Sequence, residues 1–99
     1  MNQYMIEIEL PRIFDEEFLA TVPKQVEQVS LFIAQSKINS YSLSLSQSKL
    51  WTTITADSEM EVLEILASLP LYKWMTFKIH NLMFNYQTKP TIFPPISLN

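Results

Sequence analysis

The 99-residue chain contains no cysteine and no glycine, and its only histidine is His80. Without cysteine there is no disulfide scaffold, no thiolate nucleophile and no Cys-ligated zinc or iron–sulfur centre. Without glycine there is no Gly-rich phosphate loop and no Gly-x-Ser-x-Gly nucleophile elbow. One histidine cannot build a multi-His metal site by itself, and no spacing motif joins it to Glu7 or Glu9 as ligands. Neither a metal nor a cofactor is expected. Positive charge is scarce as well. Seven Lys plus Arg against ten Asp plus Glu leave a net charge of −3, which argues against a nucleic-acid partner. No apolar run approaches the roughly 18 residues of a membrane span. The start, Met1-Asn2-Gln3-Tyr4, has no basic stretch before an apolar one, so it does not read as a secretory signal. The expectation is a cytoplasmic protein with no membrane partner.

What is abundant is apolar. Hydrophobic residues make up 47% of the chain and charged residues only 17%, where a typical soluble domain carries about 25% charged residues. Small domains bury a smaller fraction of their surface. An apolar, charge-poor chain of this size hides part of that surface against another copy, so at least a homodimer is expected.

Hydrophobic periodicity sets the elements. Tyr4-Met5-Ile6-Glu7-Ile8-Glu9-Leu10 alternates with period two and stops at Pro11. It is a strand with Ile6, Ile8 and Leu10 on one face and Met5, Glu7 and Glu9 on the other. Phe18, Leu19, Val22, Val26, Val29, Phe32 and Ile33 recur at helical spacing behind Asp15-Glu16-Glu17, predicting a helix over 15–36. Pro23 should kink or restart it near its first turns. Tyr41–Ser46 and Leu50–Ala56 read as a hairpin across the polar Ser46-Gln47-Ser48-Lys49. Ser58 and Glu61 form a capping box ahead of a second helix, and Pro70 sets its end. A last strand covers Thr76–His80 and extends toward Phe84. Residues 86–99 hold Pro90, Pro94 and Pro95 with Ile92, Phe93, Ile96 and Leu98 between them. They form an extended arm beyond a domain spanning 1–85, and the arm is expected to lie across a subunit boundary.

The order β-α-β-β-α-β with right-handed crossovers gives an α+β, ferredoxin-like fold. Its four-stranded antiparallel sheet should run 4-1-3-2, with both helices on one face. The helix side should receive Ile6, Ile8, Leu10, Leu43, Leu45, Leu50, Ile54, Phe77 and Ile79.

The stretch Leu69-Pro70-Leu71-Tyr72-Lys73-Trp74-Met75, together with Leu10-Pro11 and the element order over residues 4–84, resembles the muconolactone delta-isomerase family. The resemblance implies a ferredoxin-like protein whose subunits pair sheet on sheet as a dimeric α+β barrel. It also implies a proton-shuttling isomerase acting on a small unsaturated lactone, with C-terminal tails reaching to neighbouring subunits. The polar residues depart from that pattern. Ser42-Leu43 stand where the family has Trp-Arg, and Arg12 is the only arginine in the chain. Gln3 and Met83-Phe84-Asn85 stand where the family has a histidine and a Cys-Arg-His tail.

Two groups of residues are candidates for chemistry. Glu7 and His80 should face each other on the sheet side away from the helices, with Glu9 and Lys78 beside them. A carboxylate and an imidazole are the parts of a proton shuttle; the other reading is cross-strand charge pairing in a dimer interface. Tyr41, Tyr72 and Trp74 are the second group, read as aromatic walls for a small planar ligand in a cleft between the second helix and the sheet, or as ordinary packing. The candidate functions are an isomerase-type enzyme acting on a small organic molecule and a non-catalytic module that binds a small hydrophobic ligand or only assembles. The first requires an enclosed pocket with a titratable residue facing in. A cofactor-independent oxygenase shares the fold but has no residue support of its own. Without a recognition arginine, little turnover of muconolactone itself is expected.

Overall fold

The computed structural model describes residues 1–44 and 46–83. The elements are β1 (Asn2–Glu9), α1 (Glu16–Ala34), β2 (Ile38–Ser44), β3 (Lys49–Ala56), α2 (Glu59–Ala67), a 3-10 turn (Tyr72–Trp74) and β4 (Thr76–Leu82). All pairings are antiparallel, in the order β2-β3-β1-β4. From the opposite edge the same sheet reads β4-β1-β3-β2. The described residues are therefore α+β, with four strands and two helices, consistent with a ferredoxin-like fold. Among the described residues no helix is long and apolar enough to cross a membrane. Leu45, the expected extension of the last strand to Phe84 and the expected arm at 86–99 lie outside the described residues.

The core follows from strand alternation. Tyr4, Ile6 and Ile8 are buried on one face of β1. In register beside Ile6 stand Thr52 and Ile79, and beside Ile8 stand Leu50 and Phe77. Val29 of α1 and Val62, Ile65 and Leu66 of α2 join the same cluster, which places both helices on that face. Each fully buried aliphatic side chain contributes about 1.5–3 kcal/mol, so this layer is the main stabilising feature of the fold. Leu43 departs from expectation. It points to the helix side but is 51% exposed, because β2 is an edge strand and α1 covers only part of its end.

The helix ends show local chemistry at work. Asp15 Oδ1 accepts the Phe18 backbone N–H at 2.7 Å, capping α1. Ser58 Oγ accepts from Glu61 N–H at 3.2 Å, while Glu61 reaches back to the Asp57 N–H at 3.1 Å. The box thus closes one residue earlier than its usual form. No restart occurs at Pro23: α1 is one helix from Glu16 to Ala34. Pro23 lacks a donor and crowds the carbonyl one turn back, but Phe18 before it and Gln25 and Val29 after it are buried, so packing on both sides holds the helix through that position.

Helix α1 stops at Ser36, whose φ is +60°. The Ser36 N–H bonds Ile33 O, and the Lys37 N–H bonds Phe32 O. That is the pairing of a Schellman cap, which normally carries glycine at this position. A serine held left-handed is strained by roughly 1 kcal/mol. Ser36→Gly should therefore raise stability by about 1 kcal/mol in urea unfolding; a loss of stability would show that the serine side chain is needed there.

Candidate functional site

The sheet face away from the helices carries the first candidate pair. Alternation puts Met5, Glu7 and Glu9 there from β1, Trp51 and Thr53 from β3, and Lys78 and His80 from β4. Glu7 pairs in register with Lys78 and His80 with Met5, so Glu7 and His80 meet on the diagonal. Glu7 Oε1 lies 3.8 Å from His80 Nε2, and Glu7 Oε2 lies 3.5 Å from Lys49 Nζ. The two residues are together, as expected. Glu7 lines a recess of about 240 Å³ with Glu9, Thr76, Phe77 and Lys78; His80 is not part of that lining, and its side chain is 53% exposed. Glu7 thus stands between the Lys49 ammonium and the His80 imidazole on a partly exposed face, where a surface ion pair contributes ~0–1 kcal/mol.

An apolar cavity of about 230 Å³ opens on the other face, between the N-terminal half of α1 and the sheet. Phe18 and Val22 of α1 line it, as do Phe14 from the link ahead of α1 and Leu10, Leu43, Leu50 and Leu71. Leu19 and Val26, both more than half exposed, stand at its rim. Only two lining side chains are polar, Gln25 and Tyr41. Gln25 is 2% exposed. Its Oε1 accepts the Leu71 N–H at 3.0 Å, and its Nε2 donates to the Tyr41 hydroxyl at 2.9 Å. One amide side chain therefore ties α1, β2 and the segment after α2 together. A buried amide left without partners would be strongly destabilising, so this bridge fixes the cavity's shape.

Among the described residues, Tyr41 is the only ionisable group lining this cavity. Burial pushes its phenol above the usual tyrosine range, partly offset by the Gln25 hydrogen bond. The phenol is therefore neutral at physiological pH. Its oxygen accepts from Gln25, and its own proton has no acceptor among the described residues. Such a group can donate a hydrogen bond to a ligand. Among the described residues no carboxylate or imidazole lines the cavity to abstract a proton.

The expected aromatic trio is divided, and the cleft lies against α1 rather than α2. Tyr41 lines the cavity. Trp74 packs edge-on against Phe18, with ring centroids 5.3 Å apart, and so supports the wall from behind. Phe18 in turn stacks on Phe14 at 4.3 Å. Tyr72 tilts against Phe77 at 6.1 Å and lies outside the lining. The 3-10 turn is the cause. It rotates Tyr72 and Trp74 away from the cavity and leaves Leu71, just ahead of it, as the inward residue. Lys73 lies over the Trp74 ring and pairs with Glu17.

Gln25 and Phe14 were not singled out in the sequence. Gln25 was detectable in principle, as the one polar residue among Phe18, Val22, Val29 and Phe32 on the buried stripe of α1. Among the described residues no group of three or more His, Cys, Asp or Glu could hold a metal ion. No protein-family model and no curated protein matches the sequence.

Proposed function

We propose that this chain is a ferredoxin-like, sheet-to-sheet dimerising module that binds a small, neutral, mostly apolar molecule in the cavity between α1 and the sheet. The observation that carries this reading is the pairing of an apolar wall with one free donor, the Tyr41 hydroxyl, positioned by buried Gln25. Apolar pockets with a few fixed polar groups are the usual form of small-molecule sites. The volume, about 230 Å³, lies below the ~300–1,000 Å³ common for such sites, which suits a single-ring compound. The hydroxyl selects one with a carbonyl-type acceptor.

Acetophenone and its shape-matched hydrocarbon, cumene, test this by NMR titration. Acetophenone should bind about threefold to tenfold more tightly, because one net hydrogen bond is worth ~0.5–1.5 kcal/mol. Tyr41→Phe should erase the difference and leave cumene binding unchanged. If neither compound shifts resonances of Leu10, Phe18 or Val26, the cavity is ordinary packing space.

The second reading is the proton-shuttling isomerase implied by the family resemblance. It is favoured by the Glu7–His80 approach at 3.8 Å. That pair and the cavity occupy opposite faces of the sheet, and an anionic lactone in the cavity would find no cation in its lining. Burying an unpaired carboxylate costs several kcal/mol. Binding without turnover therefore accounts for more of the site. Turnover of muconolactone at about 1 per second or faster, lost in Glu7→Gln and His80→Ala, would reverse that order.

The dimer is part of the same proposal. The outer sheet face presents Trp51 and Met5 beside an ion pair that is already matched within the subunit, Glu7 with Lys49. Such a face loses less on desolvation than one with isolated charges.

A further inference from the structure

We infer that a cup between the β1–α1 link and the β2–β3 turn binds the phosphate group of a small organic phosphate. The cup measures about 520 Å³ and is lined by Arg12, Ser46, Gln47, Ser48 and Lys49. None of these also lines the apolar cavity, so the site stands apart from the function proposed above. In a chain of net charge −3, no carboxylate is among the five lining residues.

Every lining side chain carries hydrogen-bond donors: five N–H groups on a guanidinium, three on an ammonium, two on an amide and one on each hydroxyl. Arg12, the only arginine, enters no ion pair among the described residues. Lys49 is shared with Glu7 at 3.5 Å and faces Glu9 in register, which leaves Arg12 as the main uncompensated charge. Ser46 meets Ser44 at 3.4 Å. So many donors exceed what the two oxygens of a carboxylate use and suit three phosphate oxygens and their higher charge.

The cup is also held in shape. The Leu10 N–H bonds Ser48 O at 2.8 Å, fastening the link to the turn. Ser48 holds a left-handed backbone, φ +51°. A left-handed residue is what closes a short hairpin turn, so the turn's shape is set by the backbone. The volume exceeds that of a bare phosphate ion, leaving room for an organic substituent.

The test is an NMR titration at constant ionic strength with inorganic phosphate, phenyl phosphate and acetate. Phosphate should shift the amides of Arg12 and Gln47–Lys49 and saturate, with acetate at least tenfold weaker. Phenyl phosphate should bind more tightly than inorganic phosphate; equal affinity would overturn the assignment to an ester. Arg12→Gln should weaken phosphate at least tenfold with the melting temperature unchanged. Equal responses to phosphate and acetate, or an Arg12→Gln variant that binds like the wild type, would overturn the site.

Discussion

Gln25→Ala lowers the free energy of unfolding by about 2–4 kcal/mol and abolishes the preference for acetophenone over cumene. The stability loss has two parts. The buried Leu71 N–H loses its acceptor, which costs ~1–3 kcal/mol. The vacated space adds a cavity penalty that grows with its volume. Gln25→Leu separates them, because it restores most of the volume and leaves the N–H unpaired; about half of the loss should remain. The binding loss follows from Tyr41. Without the Gln25 Nε2 donor at 2.9 Å, the hydroxyl is free to rotate and its proton is no longer aimed. Urea unfolding with the paired titrations reads both effects. A change under 0.5 kcal/mol for Gln25→Ala would mean that the bridge from α1 to the segment after α2 is not holding the cavity together.

Trp51→Lys converts the proposed dimer to monomers with the subunit still folded. Trp51 lies half-buried on the outer sheet face, in register with Glu7 and Ser42. Large aromatic residues near the centre of an interface commonly account for ~2–4 kcal/mol of binding, which is roughly a 30- to 1,000-fold change in dissociation constant. Lysine at this position can pair with Glu7 inside one subunit, so the fold keeps a favourable cross-strand contact. Across the interface it adds a charge that must be desolvated. Sedimentation velocity at tens of micromolar should give a dimer for the wild type and a monomer for the variant, with matching far-UV circular dichroism. A monomeric wild type removes the dimer, and a variant that stays dimeric moves the contact to another surface.

Much of this architecture was legible locally. Period-two alternation in β1 separates Ile6 and Ile8 from Glu7 and Glu9, because successive strand side chains point to opposite faces. It thereby placed Glu7 and His80 on one face. Ser58 and Glu61 marked the start of α2, because a cap satisfies donors within one turn of itself. The element order then limited the topology to very few arrangements. Pro23 did not restart the helix, because the buried residues that flank it in α1 hold the segment together, which an isolated-helix rule ignores.

The cavity was settled only by tertiary structure. Gln25 and Leu71 are separated by 46 residues, and nothing near either one states that they meet. The sequence singled out Tyr41 as a candidate wall, but not that a buried amide would accept from one segment and donate to another. The Leu69–Met75 motif signalled aromatic walls, yet the 3-10 turn directed Leu71 inward and sent Trp74 behind Phe18. A repeat pattern assigns residues to faces, since it depends only on backbone geometry along the chain. Which side chains from distant segments share a face, and whether their hydrogen bonds leave a proton to spare, depends on packing across all of them at once.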